Sequence, residues 1–156
     1  MAFPRPIRYL ITRKWYDKSR LWNGVFRAFG TEPIRSRAPK ETVAAVCRIL
    51  GRGEVVGIFP EGRISHDGRM REFRSGIARI AALSGAPVLP VGIRGSFRSL
   101  PRTARFPRPV RVRLHLGDPL VFPESPREIA APNEEIREFR NKIFADVFRL
   151  AGQINH

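Results

Sequence analysis

The 156 residues predict one α/β domain spanning residues 1–156, with a mixed, largely parallel sheet flanked by helices. Three observations carry that expectation. Short β-branched runs alternate with apolar stripes of helical period, as strands alternating with helices require. Glu54 to Phe59 is apolar on both faces, the pattern of a strand covered on each side. Phe73 to Ser84 then reads as a helix and Val88 to Ile93 as a strand, which makes a βαβ unit with parallel strands. A hydrophobic content of 42% over this length supports one core and is too little for two.

The elements follow in order. Arg8 to Thr12 reads as a strand. Asp17 to Phe29 reads as a helix whose apolar stripe carries Leu21, Trp22, Val25, Phe26 and Phe29. Gly30 stops it, and Thr31 to Pro39 is a turn-rich link. Lys40 to Leu50 forms a second amphipathic helix, closed by Gly51 and Gly53. Beyond the βαβ unit, proline breaks make Arg94 to Pro109 a loop or short edge element. Val110 to Gly117 alternates, with Val112, Leu114 and Leu116 predicted to face the core and Arg111, Arg113 and His115 the solvent. Asn133 is placed to cap a last helix over about 133–150, with Ile136, Phe139, Ile143, Val147 and Leu150 as its docking stripe. The sequence contains no internal repeat and no low-complexity tract.

Composition narrows the partners. There are 29 basic residues against 14 acidic ones, a net charge of +15, and 25 of the 29 are arginine. The expected partner is anionic, and planar guanidinium forks suit phosphate oxygens. No apolar run approaches the ~20 residues of a membrane-spanning helix, and no signal-peptide core is visible. Cys47 stands alone among the helical apolar positions Val43, Val46 and Leu50, so it reads as a core thiol with no internal disulfide.

The chemistry-bearing stretch is Phe59-Pro60-Glu61-Gly62-Arg63-Ile64-Ser65, a polar loop after a buried-looking strand. Ligands collect beyond the carboxyl ends of strands in α/β units, where this loop lies. Followed after one helix by Val88-Leu89-Pro90-Val91, it resembles the third and fourth motifs of the glycerol-phosphate and lysophospholipid acyltransferase family. The similarity covers roughly Ile7 to Leu120. Arg63 directly after Gly62 resembles the lysophospholipid acyltransferase modules fused to acyl-carrier-protein synthetases.

The resemblance implies a glycerol-phosphate acyltransferase-like fold. It implies transfer of an acyl group from an acyl-CoA or acyl-ACP donor to a hydroxyl of a glycerol-phosphate or lysophospholipid acceptor. No metal or redox cofactor is implied. By position, Arg63 holds the acceptor's phosphate, with Pro60, Gly62 and Ser65 completing the substrate loop. Glu61 is expected to shape the loop, by accepting N–H bonds or pairing with Arg63, rather than to act as acid or base. The family's second motif falls on Gly30 to Arg37, where Ser36 replaces the expected arginine. Arg35 and Arg37 on either side reach the same phosphate after a one-residue shift, or are solvated turn residues.

The family's first motif, His-x-x-x-x-Asp, is absent from the 156 residues. An alcohol attacks a thioester at neutral pH only if a base takes its proton. His66 is followed five places on by Arg71 and His115 by Leu120, while His156 ends the sequence. Neither His66 with Asp67 nor His115 with Asp118 makes a convincing pair, so no catalytic residue is assigned. The motif belongs shortly before the segment that Ile7 to Thr12 resembles, so the chain is expected to be N-terminally truncated and inactive in isolation. It is also expected to leave an uncovered edge or cleft in its sheet near the N-terminus.

The leading expectation is a cytoplasmic acyltransferase domain, peripheral at an anionic membrane surface on the inner face. Trp15, Tyr16, Trp22, Phe26 and Phe29, near Arg13, Lys14, Arg20 and Arg27, either rest at the headgroups or belong to the core. The alternatives are a non-catalytic phospholipid-binding relative and, with less support, a basic nucleic-acid-binding module. The second lacks zinc-finger spacing or an aromatic RNA-binding strand.

Overall fold

The computed structural model describes residues 5–12, 24, 30–34, 39–63, 65–101, 104, 106–123 and 133–152. The backbone organises as two compact units, one ending at Phe59 and one beginning at Pro60.

In the first unit, β1 (Ile7–Thr12) is the central strand of a parallel three-stranded sheet, between β2 (Glu32–Ile34) and β3 (Val55–Gly57). Leu10 registers with Glu32 on one side, and Ile7 with Val55 on the other. Between β2 and β3 runs α1 (Pro39–Gly51), which begins on a proline, at home in a first turn where its missing N–H is not needed. Its end tightens through Arg52 N–H to Ile49 and Gly53 N–H to Leu50 carbonyl bonds of 3.1 and 2.9 Å, with Gly53 at φ +75°. Val46 and Ile49 are buried, while Val43, Cys47 and Leu50 are half-buried, so the predicted stripe holds with its centre at Val46. The helix predicted over 17–29 lies outside the described residues, apart from Gly24.

The second unit is built on α2 (Gly76–Ser84) and α4 (Asn133–Leu150), with β4 (Val91–Arg94), the short α3 (Ser96–Ser99) and β5 (Arg113–Leu116) between them. Its core joins Phe73, Ala78, Ala81, Ala82, Phe122, Ile136, Phe139 and Ile143. Alanines on α2 let α4 approach closely, and the larger side chains interlock edge-to-face, Phe73 on Phe144 and Phe122 on Phe139, both at 5.1 Å. Gly85, at φ +65°, ends α2 by donating to the Ala81 carbonyl at 2.9 Å. Asn133 does not merely begin α4. Its side-chain oxygen takes a 2.8 Å bond from the Arg79 guanidinium, tying the two helices together.

Three expectations change. Strands β3 and β4 do not share a ladder: β3 pairs with β1, while β4 pairs antiparallel with β5, so the predicted βαβ unit is split between two sheets. Phe73 precedes α2 instead of opening it, because its ring is spent on the core in an extended segment. In β5 the apolar side is not the covered one, and within the strand only His115 is half-buried. His115 is half-buried while Val112, Leu114 and Leu116 are exposed, because the His115 side of the ribbon, shared with Gly92, is the one α4 covers.

Candidate functional site

The predicted substrate loop occupies the start of the second unit, and two backbone ties close it. The Arg74 N–H donates to the Pro60 carbonyl at 2.9 Å, and the Arg71 N–H to Glu61 Oε2 at 3.1 Å. Of the two loop-shaping roles expected for Glu61, the structure has the N–H acceptor. Gly62 sits at φ +67°, where side chains strain the backbone. A Cβ there would lie 2.7 Å from Arg74 Nε, so the missing side chain is also what lets the Arg74 stem lie across the turn.

Farther along, Asp67 organises the far side of the loop. Its Oδ1 accepts the Arg69 N–H and the Ser65 hydroxyl, each at 3.1 Å, and Ser65 Oγ also lies 3.0 Å from the Arg69 carbonyl. The Arg69 N–H, helped by the Ser65 hydroxyl, holds the Asp67 carboxyl below its usual range. Ser65, predicted on the substrate side, has its hydroxyl engaged within the loop. Gly68, at φ +78°, turns the chain beneath Phe97, whose ring leaves no room for a Cβ.

Around this loop lies a cleft of about 290 Å³ lined by Glu61, Arg63, Arg71, Glu72, Phe73 and Arg74. Phe73 is its buried floor, and Arg63, Arg71 and Arg74 are exposed. Glu61 is half-buried and committed to the Arg71 backbone, so the three guanidiniums outweigh the carboxylates where a ligand enters. Guanidiniums in such a lining have the paired N–H donors that a phosphate-sized dianion requires. Arg63, from the sequence motif, is among the residues lining the cleft. Arg71 and Arg74 were missed, because in so arginine-rich a chain nothing in their spacing separates them from solvated neighbours. Arg35 and Arg37 lie outside the described residues.

Neither of the two described histidines lines this cleft. His66 is exposed beside an Asp67 already engaged by Ser65 and Arg69. His115 Nε2 is buried in the second unit without a hydrogen-bond partner, so it is not bonded to Asp118. His156 lies outside the described residues. Among the described residues, no three His, Cys, Asp or Glu side chains gather to hold a metal ion. Nor is any helix among them long and apolar enough to cross a membrane.

The chain is 35% identical over 75 residues to a chloroplastic 1-acyl-sn-glycerol-3-phosphate acyltransferase of Brassica napus, covering 46% of this chain and 22% of that protein. It is 28% identical over 148 residues to the 1-acyl-sn-glycerol-3-phosphate acyltransferase of Bacillus subtilis, covering 90% of this chain and 72% of that one. The chain thus spans about a fifth of the chloroplast relatives it matches and most of the bacterial one. Among solved structures, the 1-acyl-sn-glycerophosphate acyltransferase PlsC of Thermotoga maritima superimposes with a TM-score of 0.68 at 23% identity, over 96% of this chain and 57% of that one, a likeness of fold. The sequence model of one family, described as Acyltransferase, matches residues 1–94, from the start of the chain through the Phe59 to Ser65 motif to the end of β4. More than half of its length carries that signature, and the chain belongs to the acyltransferase family.

Proposed function

We propose that this chain binds the phosphate of a 1-acylglycerol-3-phosphate or related lysophospholipid in the Arg63 cleft and serves acyl transfer to that acceptor in phospholipid synthesis. The observation that carries the reading is the arginine-lined cleft around a glycine turn whose geometry is fixed by Glu61 and Pro60. Arg63 holds two phosphate oxygens with its fork, and Arg71 and Arg74 neutralise the remaining charge.

In the reaction, the acceptor's hydroxyl oxygen bonds to the thioester carbonyl carbon of an acyl-CoA or acyl-ACP. The carbon–sulfur bond breaks, and the hydroxyl proton ends on the departing thiol. A base must take that proton as the oxygen attacks. We infer that these 156 residues hold the acceptor without supplying the base, since they contain no His-x-x-x-x-Asp. This reading expects the chain at the cytoplasmic face of a membrane, where its acceptor resides.

The test measures lysophosphatidate binding by calorimetry and acyl transfer from labelled acyl-CoA and acyl-ACP. Binding is expected to weaken at least about thirtyfold in Arg63→Ala, equivalent to the roughly 2 kcal/mol of a charge-assisted hydrogen bond. Wild-type binding without turnover would match the inference of a missing base. Turnover by the isolated chain would overturn that inference, and undiminished binding by Arg63→Ala would overturn the phosphate site.

A further inference from the structure

The β4–β5 ribbon has two unlike faces. Val91 registers with Leu116 and Ile93 with Leu114, placing these four on one face, while Gly92 with His115 and Arg94 with Arg113 share the other. The second face is occupied by the end of α4. A Cβ on Gly92 would run into the backbone of Leu150 and Ala151, and Arg94 Nε donates to the Leu150 carbonyl at 2.9 Å. The first face is left open, with Val112, Leu114 and Leu116 exposed at 46, 51 and 47%. At the ribbon's turn end Leu100 is also exposed and Phe106 stands out at 80%.

Charge frames this apolar surface. Between Glu72 and Asp118 the chain carries nine arginines and no carboxylate. Arg98, Arg108 and Arg111 are all exposed, on the connection between the strands. The Arg108 N–H donates to the Ser99 carbonyl at 2.7 Å and folds that connection back on itself, which gathers these arginines at one end of the ribbon.

We propose that the Leu114 face of the ribbon and the arginine-bearing turn beyond it dock on an anionic lipid bilayer. The leucines and Phe106 enter the headgroup layer, and the guanidiniums take lipid phosphates. The charge pattern selects this occupant. A second copy would bring the same carboxylate-free arginine stretch against itself and be repelled. A nucleic acid satisfies the arginines but offers nothing to the leucines, whereas a lipid surface takes both. The proposal rests on this surface alone and is independent of acyl transfer.

The test is co-sedimentation of the full chain with vesicles of equal parts phosphatidylglycerol and phosphatidylcholine, and with phosphatidylcholine alone. Wild-type protein is expected on the anionic vesicles only. Leu114→Gln with Leu116→Gln, and separately Arg108→Gln with Arg111→Gln, are each expected to weaken that binding about tenfold or more, while lysophosphatidate binding at the Arg63 cleft is unchanged. If the leucine pair fails to fold by circular dichroism, the arginine pair decides the matter. Wild-type binding to neither vesicle, or undiminished binding by folded variants, would overturn the proposal. So would a wild-type dimer that the leucine substitutions convert to monomer, since a second copy would then cover the face.

Discussion

Glu61 Oε2 accepts the backbone N–H of Arg71 at 3.1 Å, a bond that spans ten positions of chain. It turns the stretch between them into a closed loop with Arg63 at its mouth, and it commits the carboxylate to architecture. Truncation in Glu61→Ala removes one hydrogen bond worth about 1 kcal/mol. The urea midpoint should fall, and lysophosphatidate binding should weaken by up to about fivefold where the opened loop must be reordered on binding. Glu61→Gln keeps an acceptor oxygen in place and should bind within about twofold of wild type. Equal losses in both variants would mean that the charge, and not the loop closure, matters.

Gly92 and Gly76 make opposite predictions for the same substitution. A methyl group at Gly92 meets the backbone of Leu150 and Ala151, which has no rotamer to give, so Gly92→Ala should cost about 2 kcal/mol or more. Nothing lies within 4 Å of a Cβ at Gly76, in the first turn of α2. Gly76→Ala should therefore be neutral or stabilising by up to about 1 kcal/mol. Urea titration of the pair checks both signs.

Glu54 spans two arginines, with Arg52 Nε 2.8 Å from Oε1 and Arg8 Nε 2.6 Å from Oε2. The Arg52 hydrogen bond, followed by that of Arg8, holds its carboxyl below the ordinary glutamate range. In acid the unfolded chain therefore binds this proton first. The contribution is complete above the ordinary glutamate pKa and disappears as pH falls through the lowered one. The gap in unfolding midpoint between wild type and Glu54→Gln should be constant near neutrality and close in acid. A gap that persists below the lowered pKa would refute the assignment.

Burial pushes the Cys47 thiol up, so the thiolate is scarce at neutral pH. Its reaction with an aromatic disulfide reagent should run at least about tenfold slower in the folded protein than in urea. A fast reaction in the folded state would indicate an open, activated thiol instead.

Helices were the most legible part of the sequence, and α4 the most legible of them. Ile136, Phe139 and Ile143 are buried as their spacing required, because one amphipathic stripe has one way to dock. The ribbon was harder. Alternation identified β5, but a period of two says nothing about which side is covered. That choice was made by Gly92, a residue on the partner strand, which opens room for α4. The strand partners of β3 and β4 were equally hidden, since sequence order suggested a crossover that the ladders do not follow. At the site, Gly62 and Arg63 stood out from their motif. The loop-closing bond of Glu61 and the guanidiniums of Arg71 and Arg74 depend on a fold-back that leaves no periodic trace.

The contact of Arg94 with the Leu150 carbonyl also bears on how the second unit opens. Helix ends ordinarily fray because their last carbonyls have only water for company. Here the last turn of α4 is clasped by a guanidinium from the sheet, a cation placed where the helix's own dipole is negative. Loss of the ribbon would release that turn, and loss of the turn would free the ribbon's edge. The amides of Val147 to Leu150 and those of β4 should therefore exchange with solvent as one cooperative group, at rates that move together when either partner is weakened.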